Sequence, residues 1–229
     1  MIDFHIQELL GEWEPRIGRP TCGPGCSACC ERMTVIVSSA EALRIVDEEP
    51  AFAEQVDNLI QRLPPMPKLD DVLDLGPCVF LGAGNCSIYD SRPDACRACY
   101  VWHDAHFCGR NDFDMCTPAE LNSLRLQHLH QRMTGEFAQG LRPFRGYLLP
   151  AVWLICRHRA EYLRGENLAP LANPDWIKTE LLEFPTREAL LSEKAEHDAV
   201  FAEEENPMGF PKAGRAKDRS LLAAFDLRV

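Results

Sequence analysis

Apolar residues recur at helical spacing in several stretches of the chain. Ser38 is followed three residues later by Glu41, the pattern of a capping box that opens a helix. Thr117 and Glu120 repeat this pattern further along, and Gly140 follows the last periodic residue of that stretch. The pattern predicts helices over 38–63, 117–139, 147–164 and 186–204, and a shorter helix within DWIKTELLE.

The segment between the first two of these helices has a different character. Residues 75–108 are rich in Gly, Pro and Cys and leave little room for regular structure before Ser91. The sequence contains neither repeats nor an alternation of strands and helices. The predicted fold class is therefore mostly α, a helical bundle with a cysteine-rich irregular loop layer on one side. We expect two regions that pack as one unit, 1–116 and 117–229, with an irregular tail from about residue 206.

Composition and charge narrow the range of partners. The 229 residues are 46% hydrophobic, which is enough for a core, and their formal net charge is −11. Such an acidic chain lacks the clustered Lys and Arg that nucleic acid and anionic membrane surfaces require. No apolar run is long enough to span a bilayer, and MIDFHIQELLGEWEP lacks the features of a signal peptide. We therefore expect a cytoplasmic protein that binds neither nucleic acid nor membrane.

Eleven cysteines are the unusual feature of this composition. In a reducing compartment they are not expected to form disulfides, and an odd number fits a complete disulfide set poorly. Eight of the eleven fall in two bunches, at residues 22–30 and 78–99, with the short spacings typical of metal ligands. The predicted metal ligands are Cys22, Cys26, Cys29, Cys30, Cys78, Cys86, Cys96 and Cys99.

The first bunch has the spacing of ligands in a tetrahedral sulfur site. Two residues separate Cys26 from Cys29, and Cys22 lies just upstream, with glycines between them that can bend the backbone. Cys29 and Cys30 are adjacent, and neighbouring side chains rarely serve one ion together. We expect one of these two to complete the main site while the other packs in the core or serves a second site.

The second bunch supplies the remaining thiols. Cys78 and Cys86 lie at either end of a glycine-containing turn. Ser91 indicates a helix start, and from there the ligand candidates follow at steps of three, four and three residues, which would place them on one helical face. These candidates are Cys96, Cys99, His103 and His106.

Other cysteines and histidines carry weaker signals. A ligand role for Cys108 and Cys116 stays open, and Cys156, on an apolar helix face, is expected to belong to the core. The remaining helical histidines are interpreted as core or surface residues; they are His128, His130, His158 and His197.

Arginines flank the cysteines, where their charge would offset that of several thiolates. They are Arg32, Arg92 and Arg97. An alternative interpretation is that Arg92 and Arg97 pair with Asp90 and Asp94 nearby.

These motifs resemble the cysteine-cluster family called CxxCxxCC, the YkgJ-type proteins, described as zinc- or iron-chelating. CGPGCSACC corresponds to the first cysteine block of the family, and CVFL and CSIYDSRPDACR correspond to the second and third blocks. The resemblance covers about residues 22–97 and implies metal binding through the seven cysteines of these blocks. A ligand role for Cys99 rests on spacing alone, because Cys99 lies beyond the shared pattern.

The sequence leaves the metal open between two alternatives. Sulfur-rich sites suit both an iron–sulfur cluster and Zn²⁺. Two zinc sites would use about eight ligands, whereas a [4Fe–4S] cluster would use four. The Cys22-x3-Cys26-x2-Cys29 spacing favours the iron–sulfur cluster slightly.

Three functional hypotheses follow. The leading one is a metal-binding protein that stores, carries or senses metal, in which the metal organises the cysteine-rich loop layer. The second is a metal- or iron–sulfur-dependent enzyme that acts on protein or peptide substrates. The third is an interaction module stapled by zinc, whose acidic helices bind a protein partner. The enzyme hypothesis predicts a polar pocket lined by Tyr100, His103, Asp104 and His106.

Overall fold

A computed structural model describes residues 2–22, 25–31, 34–102 and 119–203. These residues form mostly helices with a few short strands between them, which confirms the predicted fold class. The helices are α1 (Ile2–Ile17), α2 (Ser39–Glu48), α3 (Ala53–Ile60), α4 (Leu69–Leu73), α5 (Asp94–Arg97), α6 (Ala119–Ala138), α7 (Leu148–Leu163), α8 (Pro174–Lys178) and α9 (Arg187–Glu203). The strands are β1 (Ile36–Ser38), β2 (Leu81–Gly82), β3 (Asn85–Cys86), β4 (Arg145–Tyr147) and β5 (Leu182–Glu183), and 3₁₀ turns cover Ala28–Glu31 and Pro50–Phe52.

The helix predicted from residue 38 begins as expected and is then interrupted. The Ser38 hydroxyl accepts a hydrogen bond from the Glu41 backbone N–H at 3.3 Å, and the Glu41 carboxylate accepts from the Ser38 N–H at 2.9 Å. This capping box opens α2, as predicted. Pro50 lacks the N–H that a continuous helix needs and disfavours helical backbone at the residue before it, so α3 starts separately. The single helix predicted over 38–63 is therefore wrong.

The other three long helices are confirmed within one or two residues by α6, α7 and α9. Gly140 has a φ of +79° just after α6, in the left-handed region that commonly ends a helix. Thr117 and Pro118, predicted to open this helix, lie outside the described residues.

The helix predicted through DWIKTELLE is wrong beyond Lys178. Glu180 has a φ of 62°, a left-handed conformation that an α-helix cannot contain. Leu182 then enters β5 and is buried in the core. Burial of this leucine against the sheet thus overrides the helical periodicity of the segment.

A three-stranded antiparallel sheet of order β1-β4-β5 joins distant parts of the chain. Ile36 pairs with Tyr147, and Arg145 pairs with Glu183. Gly146, between them, is required by close packing, because a Cβ there would lie 2.5 Å from the Leu181 carbonyl oxygen. The sheet holds β1, and the start of α2 that follows it, against the C-terminal half.

One hydrophobic core draws on both halves of the chain. Buried Val37 and Phe80 belong to the same cluster as Leu154 and Trp176. None of the helices in the described ranges combines the length and apolar character needed to cross a bilayer. The predicted boundary near residue 117 stays a prediction, because residues 103–118 lie outside the described chain, as does the predicted tail.

A buried carboxylate connects α6 to α2 and α7. Glu136 is 4% exposed, and the Ser39 hydroxyl donates to its Oε1 at 2.7 Å. The Tyr162 hydroxyl donates to the same oxygen. Burial raises the pKa of Glu136 from 4.5 to about 7, although the Ser39 hydrogen bond opposes this shift and the Glu41 charge adds to it.

Because the pKa of Glu136 is raised, we expect the free energy of unfolding to fall as the pH rises. Between pH 4.5 and about 7 the folded chain keeps a proton on Glu136 that the unfolded chain has released, so the free energy of unfolding falls through this window. The loss amounts to about 3 kcal/mol for a shift of this size. We expect Glu136→Gln to match the wild type near pH 4.5 and to exceed its stability above about pH 7, as measured by urea unfolding. Equal pH dependence in the two proteins would contradict this assignment.

Candidate metal centre

The backbone brings the two cysteine bunches together. Cys29 and Cys30 lie in the 3₁₀ turn Ala28–Glu31, and the Cys78 N–H donates to the Cys30 carbonyl oxygen at 2.7 Å. The turn predicted between Cys78 and Cys86 is confirmed by the β2-β3 hairpin, in which Leu81 pairs with Cys86. A direct backbone contact therefore joins segments that are about fifty residues apart in the sequence.

The helix predicted after Ser91 is shorter than expected. It is α5, which carries Cys96 and ends at Arg97, so Cys99 follows the helix rather than continuing its face. The Cys99 N–H nevertheless bonds to the Cys96 carbonyl oxygen at 3.4 Å, which keeps the two residues close. The single helical face predicted for Cys96, Cys99, His103 and His106 is therefore wrong at Cys99, whereas His103 and His106 lie outside the described residues.

Cys29 is at the centre of the thiols. Hydrogen bonds from the Cys30 thiol, and then from the Cys99 thiol, lower the pKa of Cys29 to about 3. The pKa values of the two donors, Cys30 and Cys99, are raised instead, because the hydrogen bond to Cys29 and burial both favour their protonated thiols. The thiols of the two adjacent cysteines thus interact with each other, and the expectation that only one of them completes the main site stays a prediction.

Further thiols surround this group. Burial raises the pKa of Cys78 to about 11, and burial followed by the charges of Cys78, Cys29 and Cys86 raises that of Cys96. Burial, and then the Cys29 charge, also raises the pKa of Cys86. Cys22 accepts a hydrogen bond from the Val101 N–H at 3.4 Å, and its charge acts on Cys99. Seven of the eight predicted ligands therefore share one region: Cys22, Cys29, Cys30, Cys78, Cys86, Cys96 and Cys99.

Backbone amides support two of these sulfurs. The Phe80 N–H bonds to the Cys78 sulfur, and the Ile88 N–H bonds to the Cys86 sulfur, each two residues after its cysteine. An amide donor favours the thiolate and lowers the pKa against the effect of burial. The amides thus favour the thiolate forms of both hairpin cysteines, although burial keeps their pKa values raised overall.

Two arginines place positive charge beside the thiols. The Arg92 guanidinium lies 4.0 Å from the centre of the Tyr89 ring, and its charge lowers the pKa of Cys86 against burial. Arg125 of α6 is partly buried; burial lowers the pKa of its guanidinium, and the charges of Cys99, Cys96 and Glu41 raise it.

The alternative pairing of Arg97 with nearby aspartates holds in part: Arg97 donates a hydrogen bond to the backbone carbonyl of Asp90, but it forms no ion pair with Asp94. Arg97 binds the Asp3 carboxylate at 2.6 Å, and Asp94 instead binds Arg132 at 2.8 Å. Arg32, the third arginine considered, lies outside the described residues.

Sequence reasoning missed the polar face of α6. Arg125, His128 and Arg132 follow Leu121 at steps of four, three and four residues, so all four lie on the side of α6 that packs toward α1 and α5. The signal was present as helical spacing of charged residues, but spacing alone does not tell a buried polar face from a solvated one. The structure thus adds Arg125 to the candidate site.

The remaining candidates are placed less centrally. Cys26 is exposed, and its neighbour Gly25 lies against Asn85, whose Oδ1 would be 3.6 Å from a Cβ at Gly25. The first loop therefore approaches the hairpin that carries Cys86. Cys156 is half-buried against the core, as expected. Cys108 and Cys116 lie outside the described residues.

The donor set fits a sulfur-bound metal in its chemistry and location. None of the described cysteines forms a disulfide. In the described ranges, however, no three Cys, His, Asp or Glu side chains are positioned to hold a metal ion. The thiols contact one another instead, so ligand geometry is not formed, and a loop layer organised by metal stays a prediction.

Comparison with known proteins points to the same chemistry. Residues 21–117 match the model of the CxxCxxCC family, described as "Putative zinc- or iron-chelating domain". The match includes all eight predicted cysteine ligands and ends before α6. No curated protein and no solved structure matches the chain. The match of residues 21–117 is therefore consistent with the resemblance to the CxxCxxCC family that the sequence motifs indicate.

Proposed function

We propose that this protein binds metal at one polynuclear centre built from the thiolates of both cysteine bunches. The observation that carries this proposal is the position of Cys29, whose sulfur contacts two other thiols and whose charge acts on three more. The proposed ligands are Cys22, Cys26, Cys29, Cys30, Cys78, Cys86, Cys96 and Cys99. The first candidate for the centre is an iron–sulfur cluster, and the second is zinc.

The number of thiols supports a polynuclear centre over a single ion. One tetrahedral ion takes about four ligands. Seven cysteines lie in one region of the structure, and the eighth, Cys26, lies on a loop that approaches the same hairpin. A single structural zinc ion would leave several of these half-buried thiols without a role.

The electrostatics of the cluster also favour a bound cation. Burial and like charges raise the pKa values of Cys78 and Cys96, and the hydrogen bond to Cys29, followed by burial and like charges, raises that of Cys99, so these thiols resist ionisation together. A metal ion offsets this repulsion, and its binding releases the thiol protons. Arg92 and Arg125 supply further positive charge, and the Phe80 and Ile88 amides supply hydrogen bonds to sulfur.

Different observations favour the two metals. The Cys22-x3-Cys26-x2-Cys29 spacing favours an iron–sulfur cluster, which would supply a redox centre. The presence of about eight thiols in one region favours two zinc ions, which would act mainly as a structural staple. We place iron–sulfur first because amides and arginines around sulfur suit a centre whose potential the protein tunes.

Purification without oxygen, followed by absorption spectroscopy and measurement of iron, zinc and sulfide per chain, tests this proposal. We expect broad visible absorption with iron and sulfide in matching amounts. A colourless protein with two zinc ions per chain would instead support the second candidate. A chain with no bound iron or zinc, purified and kept reduced, would contradict both.

The enzyme hypothesis rests on a polar pocket around Tyr100, but His103, Asp104 and His106 lie outside the described residues. One pocket beside Cys78 is lined mainly by apolar side chains, among them Leu59, Val72 and Leu148. Binding of metal is therefore the function that the described residues support best.

A further inference from the structure

Two histidines face each other beside the thiol centre, at the contact between α1 and α6. The Nδ1 atom of His5 lies 3.5 Å from the Nε2 atom of His128, with the ring centres 5.7 Å apart. His5 is half-buried on α1, and His128 is 7% exposed on α6. Buried apolar residues hold both helices in place, including Ile2 and Ile6 beside His5.

The separation of the two nitrogens suits a shared metal ion. A direct hydrogen bond between them would normally be about 2.9–3.0 Å long. Two nitrogen ligands about 2.0–2.1 Å from a tetrahedral zinc ion lie about 3.3–3.4 Å apart. The observed 3.5 Å is therefore long for a hydrogen bond and close to the edge of a zinc coordination tetrahedron.

A carboxylate lies near the second ring nitrogen of His128. Asp94 Oδ2 lies 3.9 Å from His128 Nδ1, on the side of the ring opposite His5. Metal-binding histidines commonly direct their second nitrogen to a carboxylate, which fixes the ring and raises its basicity. Arg132 holds the Asp94 carboxylate with two hydrogen bonds, of 2.8 and 3.1 Å. The Asp94 carboxylate is thus held near the second ring nitrogen of His128, at a distance longer than a direct hydrogen bond.

We propose that His5 Nδ1 and His128 Nε2 form a second metal site, which holds one divalent transition-metal ion such as Zn²⁺, with water completing the coordination. This site is separate from the thiol centre and does not depend on which metal the thiols hold. Imidazole suits zinc and other divalent transition metals, and the half-exposed position of His5 leaves one side of the ion open to water. Asp94 lies on α5, two residues before Cys96, so the same short helix serves both sites.

Equilibrium dialysis against Zn²⁺ tests this proposal on the full chain carrying its resident metal. The proteins compared are the wild type, His5→Gln, His128→Gln and the control His158→Gln on α7. We expect the wild type and the control to bind one Zn²⁺ more than His5→Gln and His128→Gln. Iron, zinc and sulfide measured before dialysis report on the thiol centre separately, so failure of that centre and failure of the histidine site are distinguishable.

Cobalt gives a second readout of the same site. Co²⁺ held by imidazole and water gives weak d–d bands without the intense thiolate-to-metal band of Co²⁺ bound to cysteine. We expect the additional equivalent to give the imidazole type of spectrum and to be lost in His5→Gln, the variant at the half-exposed position. Equal uptake of Zn²⁺ by all four proteins, or no additional uptake by the wild type, would show that the two rings form only a contact between helices.

Discussion

Replacing Cys29 by serine will release most of the metal from this protein and loosen the segment that carries the cysteines. The Cys29 sulfur contacts Cys30 and Cys99 and is an electrostatic neighbour of the hairpin cysteines, so this thiol joins both cysteine bunches. Serine keeps the size of the side chain but offers a harder oxygen that does not ionise near neutral pH. For structural zinc, metal binding contributes about 10–16 kcal/mol to folding, and the variant is expected to lose a large part of any such contribution.

Metal content per chain and the melting temperature measure this effect. Cys96→Ser should behave in the same way, because half-buried Cys96 lies among the same thiols and their charges act on it. Cys156→Ser is the matched control, since Cys156 is half-buried on α7 and contacts the hydrophobic core. We expect the control to keep its metal. The assignment of these residues as ligands would be contradicted if both Cys29→Ser and Cys96→Ser kept the metal content and melting temperature of the wild type.

Replacing Arg125 by methionine will weaken metal retention without removing any ligand. The Arg125 guanidinium interacts with the charges of Cys99, Cys96 and Glu41. Its loss therefore leaves the negative charge of these thiolates and of the carboxylate without this positive neighbour. Residues next to metal ligands typically change metal affinity by about 10- to 100-fold when replaced, and we expect an effect in this range. Competition with a chelator of known affinity measures it.

Two further variants separate charge from packing at this position. Arg125→Lys keeps the positive charge and should retain more metal than Arg125→Met. Arg164→Met removes an exposed arginine at the end of α7 and should leave metal binding unchanged. If Arg125→Lys and Arg125→Met lose metal equally, the role of the residue is packing rather than compensation of charge.

Features set by neighbouring residues were predictable from the sequence. The capping box of Ser38 and Glu41, the hairpin between Cys78 and Cys86, and the glycine after α6 all appear where the sequence placed them. Each depends on contacts within a few residues, so the local pattern is sufficient. The break between α2 and α3 is equally local, because Pro50 disfavours helical backbone at the residue before it.

Features that depend on distant contacts were not predictable in the same way. Leu182 becomes a strand residue because it pairs with Gly146 of β4 and is buried in the core, although its segment has helical periodicity. The spacing of Cys96 and Cys99 suggested a helical face, but α5 ends between them. Arg125 lies near both cysteines only because α6 packs against α5. The identity of the candidate ligands could thus be read from the sequence, whereas their surroundings could not.

We propose that thiolates from both cysteine bunches bind the same metal centre. X-ray absorption at the metal edge of the anaerobically purified full chain tests it most directly. We expect a first shell of about four sulfur atoms per metal at about 2.3 Å, which is reduced in Cys29→Ser and in Cys86→Ser alike. A first shell made of nitrogen and oxygen, or a sulfur shell that only one of these two variants changes, would contradict it.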